Sequence, residues 1–574
     1  MCDDRRTMYW QDHPRPTSAT RRAVLGAGIA AAGSALLTAC SGSGADSTAG
    51  AGKGAAGPQG AVSADDKEVR PTWTPSPEGK LRGLTFTATP ATVEIGGGRT
   101  VRTMTYNGEL PGKEVRITAG DTLKLTLANH LPESTTVHWH GIALRNEMDG
   151  VPDVTQPPIK PGRTFTYRFQ APHPGTYWFH PHLGLQVDRG MYAPLIVDDP
   201  NEPLSYDAEW IVLLDDWIDG VDGSSPDDVF DQLRKGKPAM GHGSAHQRGH
   251  DRGTRPSKPS GGIAAGYGPP GAHAPQPGDA PAREEASPSP KPGGGPSRLM
   301  TGADSPLLGG HTGDVAYPYY LINGRTPDDP TQFRAKPGDR IRLRIINAGA
   351  ETPFRVALGG HRMTITHSDG FPVRHHRTDS LLLGMGERYD VLITAKDGVF
   401  PLTALAEGKN GAAMAVLRTA SGALPGPATR PAELRRAVLP SARRLRPHES
   451  VELDRRRPDR IVRITLTGGM EKFDWGIDHR PYSPDRVHRI ERGERVRLVV
   501  VNATDMWHPV HLHGHTYALA GIDSNGARKD TATVLPHNKL VLDFDADNPG
   551  DWMLHCHNTY HSESGMMTTV VYDA

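Results

Sequence analysis

The stretch Leu554–Met567, LHCHNTYHSESGMM, gathers residue types that bind soft metal ions. Cys556 lies between His555 and His557, His561 follows it by five residues and Met566 by ten. In a strand successive side chains point to opposite faces, so His555 and His557 look one way and Cys556 the other. One thiolate can then serve one metal while its neighbours serve another, with only covalent bonds between them. Joined by His508 from an earlier strand region, Cys556, His561 and Met566 supply two imidazoles, a thiolate and a weak axial thioether. That is the ligand set of a blue-copper site, which cycles by one electron with little rearrangement. Met567 is the alternative axial ligand and ranks below Met566 on spacing.

Four His-x-His pairs accompany this set: His138/His140, His180/His182, His511/His513 and His555/His557. Each puts two imidazoles on one strand face. A single pair is more often a satisfied polar pair than a ligand set; four pairs in matching places of a repeated unit are not. Eight imidazoles suit three further copper ions, one with two ligands and two with three each.

The repeated unit is visible in GDTLKLTLAN (120–129), GDRIRLRIIN (338–347) and GERVRLVVVN (493–502). Each has a Gly, an acid, largely alternating apolar residues and an Asn nine positions after the Gly. The alternation predicts a half-buried strand bounded by turns, and its repetition predicts three copies of one β-domain. Counting on from each Asn, the first copy has His138, His140 and Gly141 where the third has His511, His513 and Gly514. The middle copy has Val356, Leu358 and Gly359 there. Likewise PGTYWFHPH (174–182) matches PGDWMLHCH (549–557), while the middle domain offers DGVFPLTAL. Metal chemistry is thus expected from domains one and three, with domain two as a spacer.

The chain has 574 residues, enough for three or four domains at roughly 150 residues each. With 65 basic and 65 acidic residues it has no net field to favour nucleic acid. Residues 1–39 read as an export signal, with adjacent Arg21 and Arg22 of twin-arginine type before a short apolar run. Leu37-Thr38-Ala39-Cys40 resembles a lipoprotein cleavage box, which would lipidate Cys40 and anchor the chain on the outer face of the cytoplasmic membrane; a soluble secreted or periplasmic product is the alternative. Residues 40–78 read as a flexible tether. Of three cysteines only Cys556 then remains in the folded part, so no disulfide is possible there. Domain one is expected over 79–200, domain two over 201–420, a linker over 421–458 and domain three over 459–574. Within domain two, about 235–310 is dense in Gly and Pro without hydrophobic period, a disordered insertion whose His242, His246, His250 and His273 offer at most weak copper capture.

The motifs HWHG, FHPH, HPVHLHGH and HCHNTYHSESGM resemble the four copper-binding motifs of the multicopper oxidases, the family of laccases, cuprous oxidases and ferroxidases. The resemblance covers about 81–574 and is nearest to the exported copper-resistance oxidases of actinobacteria. It implies an all-β chain of three consecutive cupredoxin-like Greek-key β-barrel domains and four copper ions. His508, Cys556, His561 and Met566 would form the type 1 site. His138 and His511 would hold type 2 copper; His140, His180 and His557, with His182, His513 and His555, would hold the type 3 pair. Asp149 matches a family carboxylate that aids proton supply, whereas Ser562, followed by Glu563, stands where a second carboxylate is common. His515 is expected to be structural. The resemblance implies O2 as acceptor and Cu(I), with Fe(II), as donor for a chain that is expected to be monomeric. A laccase-like oxidase of phenols and aromatic amines is the runner-up and needs an open apolar cleft beside His508 or His561. A copper-storage protein would need exposed Met or His arrays, and Met506 and Met553 are expected in the core.

Overall fold

The computed structural model describes residues 79–235, 295–520 and 525–573. The expected signal, tether, insertion histidines and Cys40 lie outside them. Each copy of the repeated decapeptide forms an eight-residue strand that ends on its asparagine: Thr122–Asn129, Arg340–Asn347 and Arg495–Asn502. Gly120, Gly338 and Gly493 before them have φ of 93°, 92° and 84°, where a side chain would be strained. Each strand lies parallel to its domain's first long strand, Leu81–Gly96, Ala208–Trp217 or Arg460–Thr467. On its other side it pairs antiparallel with Thr164–Gln170, Arg388–Thr394 or Lys539–Asp545. Identical neighbours in all three places make the units one topology.

The repeated asparagine does more than end a strand. Asn129 Nδ2 donates to the carbonyls of Glu133 and Ile159, Asn347 Nδ2 to Thr352 and Leu383, and Asn502 Nδ2 to Met506 and Leu535. Each Oδ1 accepts from the amide two residues on, at Leu131, Gly349 and Thr504. All three are buried. A buried amide with its donors and acceptor engaged fixes the loop that follows it. In domains one and three that loop leads into the His-x-His strands His138–His140 and His508–Leu512.

Domain one pairs its four-stranded sheet with another of four, ordered Val115–Thr118, Ala193–Asp198, Gly175–His180, His138–His140. Leu123, Leu125 and Leu127 of the first share a core with Trp139, Phe179 and Leu195 of the second. Domain two has two six-stranded sheets, and domain three has sheets of six and five strands. The 421–458 stretch, expected as a linker, is docked on domain two, where its strand Val438–Leu439 pairs with Ser380–Leu383.

Alternation predicts outward-facing arginines on Arg340–Asn347, yet Arg342 and Arg344 are each only 2% exposed. That face meets domain one. Arg344 donates to Thr176 Oγ1 of domain one and both guanidiniums donate to Asp390, which also accepts from Thr176. Burial opposes ionisation of Asp390, but Arg342 and Arg344 prevail and hold it well below the usual carboxylate range.

Candidate metal centre

The strand Asp551–Cys556 ends on the cysteine, and Asn558 then caps the short helix Thr559–Glu563, its side chain accepting from the amides of Tyr560 and His561. This returns His561 to the thiol. Cys556 Sγ lies 3.6 Å from His508 Nδ1 and 3.8 Å from His561 Nδ1, and the two nitrogens are 3.2 Å apart. His508 Nε2–H donates to Thr504 Oγ1 at 2.8 Å, leaving Nδ1 as a lone pair toward the thiol. Met566 is buried, and its carbonyl accepts from the Cys556 amide. Met567 starts the last strand opposite His555 and is half-buried. Burial pushes the Cys556 thiol up to about 12 and lowers His561 to about 3. A neutral pocket of two nitrogen lone pairs and a soft sulfur suits a copper ion that displaces the thiol proton.

The eight other histidines converge between domains one and three. Antiparallel pairing sets His138 opposite His180 and His511 opposite His555. His138 stacks on His513 and His140 on His511, each with ring centroids 3.9 Å apart. His138 Nδ1–H donates to the Asp149 carbonyl, His511 to that of Asp530, His180 to that of Pro181 and His555 to that of Cys556. His513 Nδ1–H donates to Asp149 Oδ2 at 2.8 Å. A neutral imidazole has one N–H. With it given outward, the inward Nε2 atoms of His513 and His555 carry lone pairs and face one another at 3.0 Å, with His182 Nε2 3.4 Å from that of His555. His138 and His511 do the same at 3.4 Å. His140 is reversed: its Nε2 lies 3.0 Å from Asp530 Oδ1 and from Thr531 Oγ1, and its Nδ1 is 3.2 Å from His557 Nε2. His180 Nε2 has no hydrogen-bond partner. Opposed lone pairs in a buried pocket are costly unless cations lie between them. The donor set therefore fits copper ions.

Every histidine expected as a copper ligand, His508 and His561 with the four His-x-His pairs, reaches one of these two clusters. His515 is elsewhere: its Nε2 bonds Tyr572 Oη and its ring stacks on that tyrosine, the structural role expected. Asp149 is fully buried beside His138 and His513. Ser562 Oγ is 3.4 Å from His555 Nδ1, whereas Glu563 is exposed. Met506 and Met553 are buried in the core, as expected.

Sequence reasoning missed Asp530 and Arg388. The Arg388 guanidinium grips the Asp530 carboxylate with both terminal nitrogens, at 2.7 and 2.6 Å, and neither residue is exposed. Domain two is therefore more than a spacer. Its loop comes so near the histidines that a Cβ on Gly386 would lie 2.9 Å from His557 Cδ2 and 3.0 Å from His140 Cε1. The acid comes to the cluster because Thr531, which follows it, pairs with His511 on the neighbouring strand, a pairing that no local pattern in the sequence signals.

Profiles of the family described as multicopper oxidase match residues 87–202, 294–422 and 455–574. The chain is 45% identical to the multicopper oxidase MmcO of Mycobacterium tuberculosis, across 96% of each protein. It is 29% identical to a copper resistance protein A homologue of Pseudomonas syringae pv. tomato, over 87% of this chain and 95% of the relative. Among solved structures it resembles the laccase of Botrytis aclada, with a TM-score of 0.64, 26% identity and coverage of 86% of this chain and 88% of that one.

Proposed function

The chain belongs to the multicopper oxidases, and from that premise we propose that it couples one-electron oxidation of Cu(I), with Fe(II) also accepted, to reduction of O2 to water, in defence against copper. Four ions per chain would be held: type 1 by His508, Cys556, His561 and Met566; type 2 by His138 and His511; type 3 by His140, His180 and His557 and by His182, His513 and His555. The twin arginines and the Cys40 box support export and a lipid anchor, with the catalytic part acting as a monomer outside the cytoplasm.

When bound, the coppers supply one-electron storage and the four-electron reduction of dioxygen. The protein supplies the rest. Cys556 joins the two sites through its own backbone, since its carbonyl accepts from His555 Nδ1–H at 2.9 Å while its sulfur faces His508 and His561. Asp149 is buried and its Oδ2 accepts from His513 Nδ1–H, a contact with the cluster that supports reading it as the group that supplies protons to reacting oxygen. Asp149→Asn retains an acceptor for His513 and removes the proton-carrying group. Turnover is expected to fall about 10–100-fold, with copper content and the blue band unchanged; kcat from oxygen uptake, alongside metal analysis, checks this.

The observation that carries the donor assignment is the closure of the donor side. His508 and His561 are 0% and 1% exposed. Trp475 lies against His561 at 4.2 Å between centroids, with Phe473 at 6.0 Å. A bulky phenol finds no open face there. Domain two instead pairs the backbone of His311 with that of Met506, two residues before His508, and His311 Nε2 lies 3.3 Å from Oδ1 of the buried Asp314. A carboxylate and an imidazole suit a small cation as the electron donor. The test is oxygen uptake with Cu(I), Fe(II) and a bulky phenol in parallel, corrected for autoxidation. Cu(I) is expected to exceed the phenol in kcat/KM by more than about tenfold, and Asp314→Asn to narrow that gap. Preference for the phenol would make the enzyme laccase-like.

A further inference from the structure

Domain two has no copper ligands in this reading, yet its side chains grip the part of domain three that lies behind the cluster. Asp369 accepts from the amides of Asp530 and Thr531 and from Lys529 Nζ, at 3.2, 3.2 and 3.1 Å. Each nitrogen of Arg388 is engaged. Its own amide donates to Asp369, its Nε to the carbonyl of Thr176 in domain one, and Nη1 to the carbonyl of Gly386. Both Nη atoms then hold Asp530. One guanidinium thus touches all three domains.

The Asp530 oxygen that Arg388 Nη1 holds is the one facing His140 Nε2 at 3.0 Å. Thr531 Oγ1 donates to that same oxygen at 2.9 Å, so its own lone pairs also face His140 Nε2. Two acceptors at one ring nitrogen require that nitrogen to carry the proton. Nδ1 of His140 is then the lone-pair atom, and it faces His557. The carbonyl of Asp530 fixes His511 in the opposite tautomer.

We propose that Arg388, supplied by the domain without copper ligands, is a positioning residue of the oxygen-reducing cluster: by fixing Asp530 it sets the tautomer and ring orientation of His140. The proposal rests on the reading of His140 as a copper ligand. Arginine is required because its planar fork engages both carboxylate oxygens at once while a third nitrogen reaches domain one; lysine can make only part of this set.

The test uses the full copper-loaded chain and four variants, with copper content, the type 1 blue band, the near-ultraviolet absorption of the type 3 pair and oxygen uptake as readouts. R388M is expected to keep the blue band and its anaerobic reduction, to alter the near-ultraviolet absorption of the type 3 pair and to lose about 10–100-fold in kcat. R388K should recover part of both. R342M removes a domain-two ion pair of similar burial that touches no cluster histidine, and should keep the cluster spectrum with kcat within about twofold. An unchanged spectrum and kcat in R388M would overturn the proposal. So would equal losses in R342M, which would make the effect general loosening of domain two. If R388M does not fold, R388K and D530N carry the test, and wild-type cluster spectra in both refute it. A wild-type chain with a blue band but no type 3 absorption would instead refute the ligand reading on which the proposal stands.

Discussion

Replacing Cys556 by serine is expected to abolish the blue band and lower oxygen uptake by more than about a thousandfold, over 4 kcal/mol at roughly 1.4 kcal/mol per tenfold. Serine is nearly the same size, so the fully buried position loses no packing. What it loses is the soft, polarizable donor that lets one site accommodate both oxidation states of copper. It also breaks the connection whose sulfur faces His508 and His561 and whose carbonyl holds His555. Bound copper should fall by one ion per chain while thermal unfolding of the metal-free protein stays close to that of the parent. Retained turnover with Cu(I) would show that electrons enter elsewhere.

His513→Ala should divide the activity differently. Its Nε2 lies 3.0 Å from that of His555, its ring stacks on His138, and its Nδ1–H is bonded to Asp149 Oδ2. Truncation opens the oxygen-reducing cluster and leaves a buried carboxylate without that partner, at a cost of about 1–3 kcal/mol or more for a charged group. The site around Cys556 shares none of these contacts. The expected result is a chain that stays blue, is bleached by Cu(I) under anaerobic conditions and does not recover its colour in air, with steady-state oxygen uptake down more than about 100-fold. Normal uptake would refute the assignment of His513 to the cluster.

The ligands were legible in the sequence because they are local. His-x-His and Cys-His-x3-His patterns place side chains through strand geometry alone, and the strand period that exposes them also exposes the three repeated units. The groups that support the ligands were not legible. Arg388 lies 142 residues from Asp530, and Asp530 lies 390 from His140; only the docking of three domains brings them together. The same docking buries Arg342 and Arg344, which a strand read alone would turn to water. Even the asparagine that ends each strand read as a turn residue until its carbonyl partners, up to 36 residues away, were in view.

That asparagine separates the history of the scaffold from the history of its chemistry. Asn347 makes the same set of bonds as Asn129 and Asn502 although the strand beyond it, Phe354–Leu358, carries Val356 and Leu358 in place of imidazoles. The unit holds its shape with no ion to organise it. Copper in the outer units is thus a passenger admitted to a finished vessel. The middle unit, with its two aliphatic side chains at the vacant stations, is ready-made ground for grafting a fifth histidine pair.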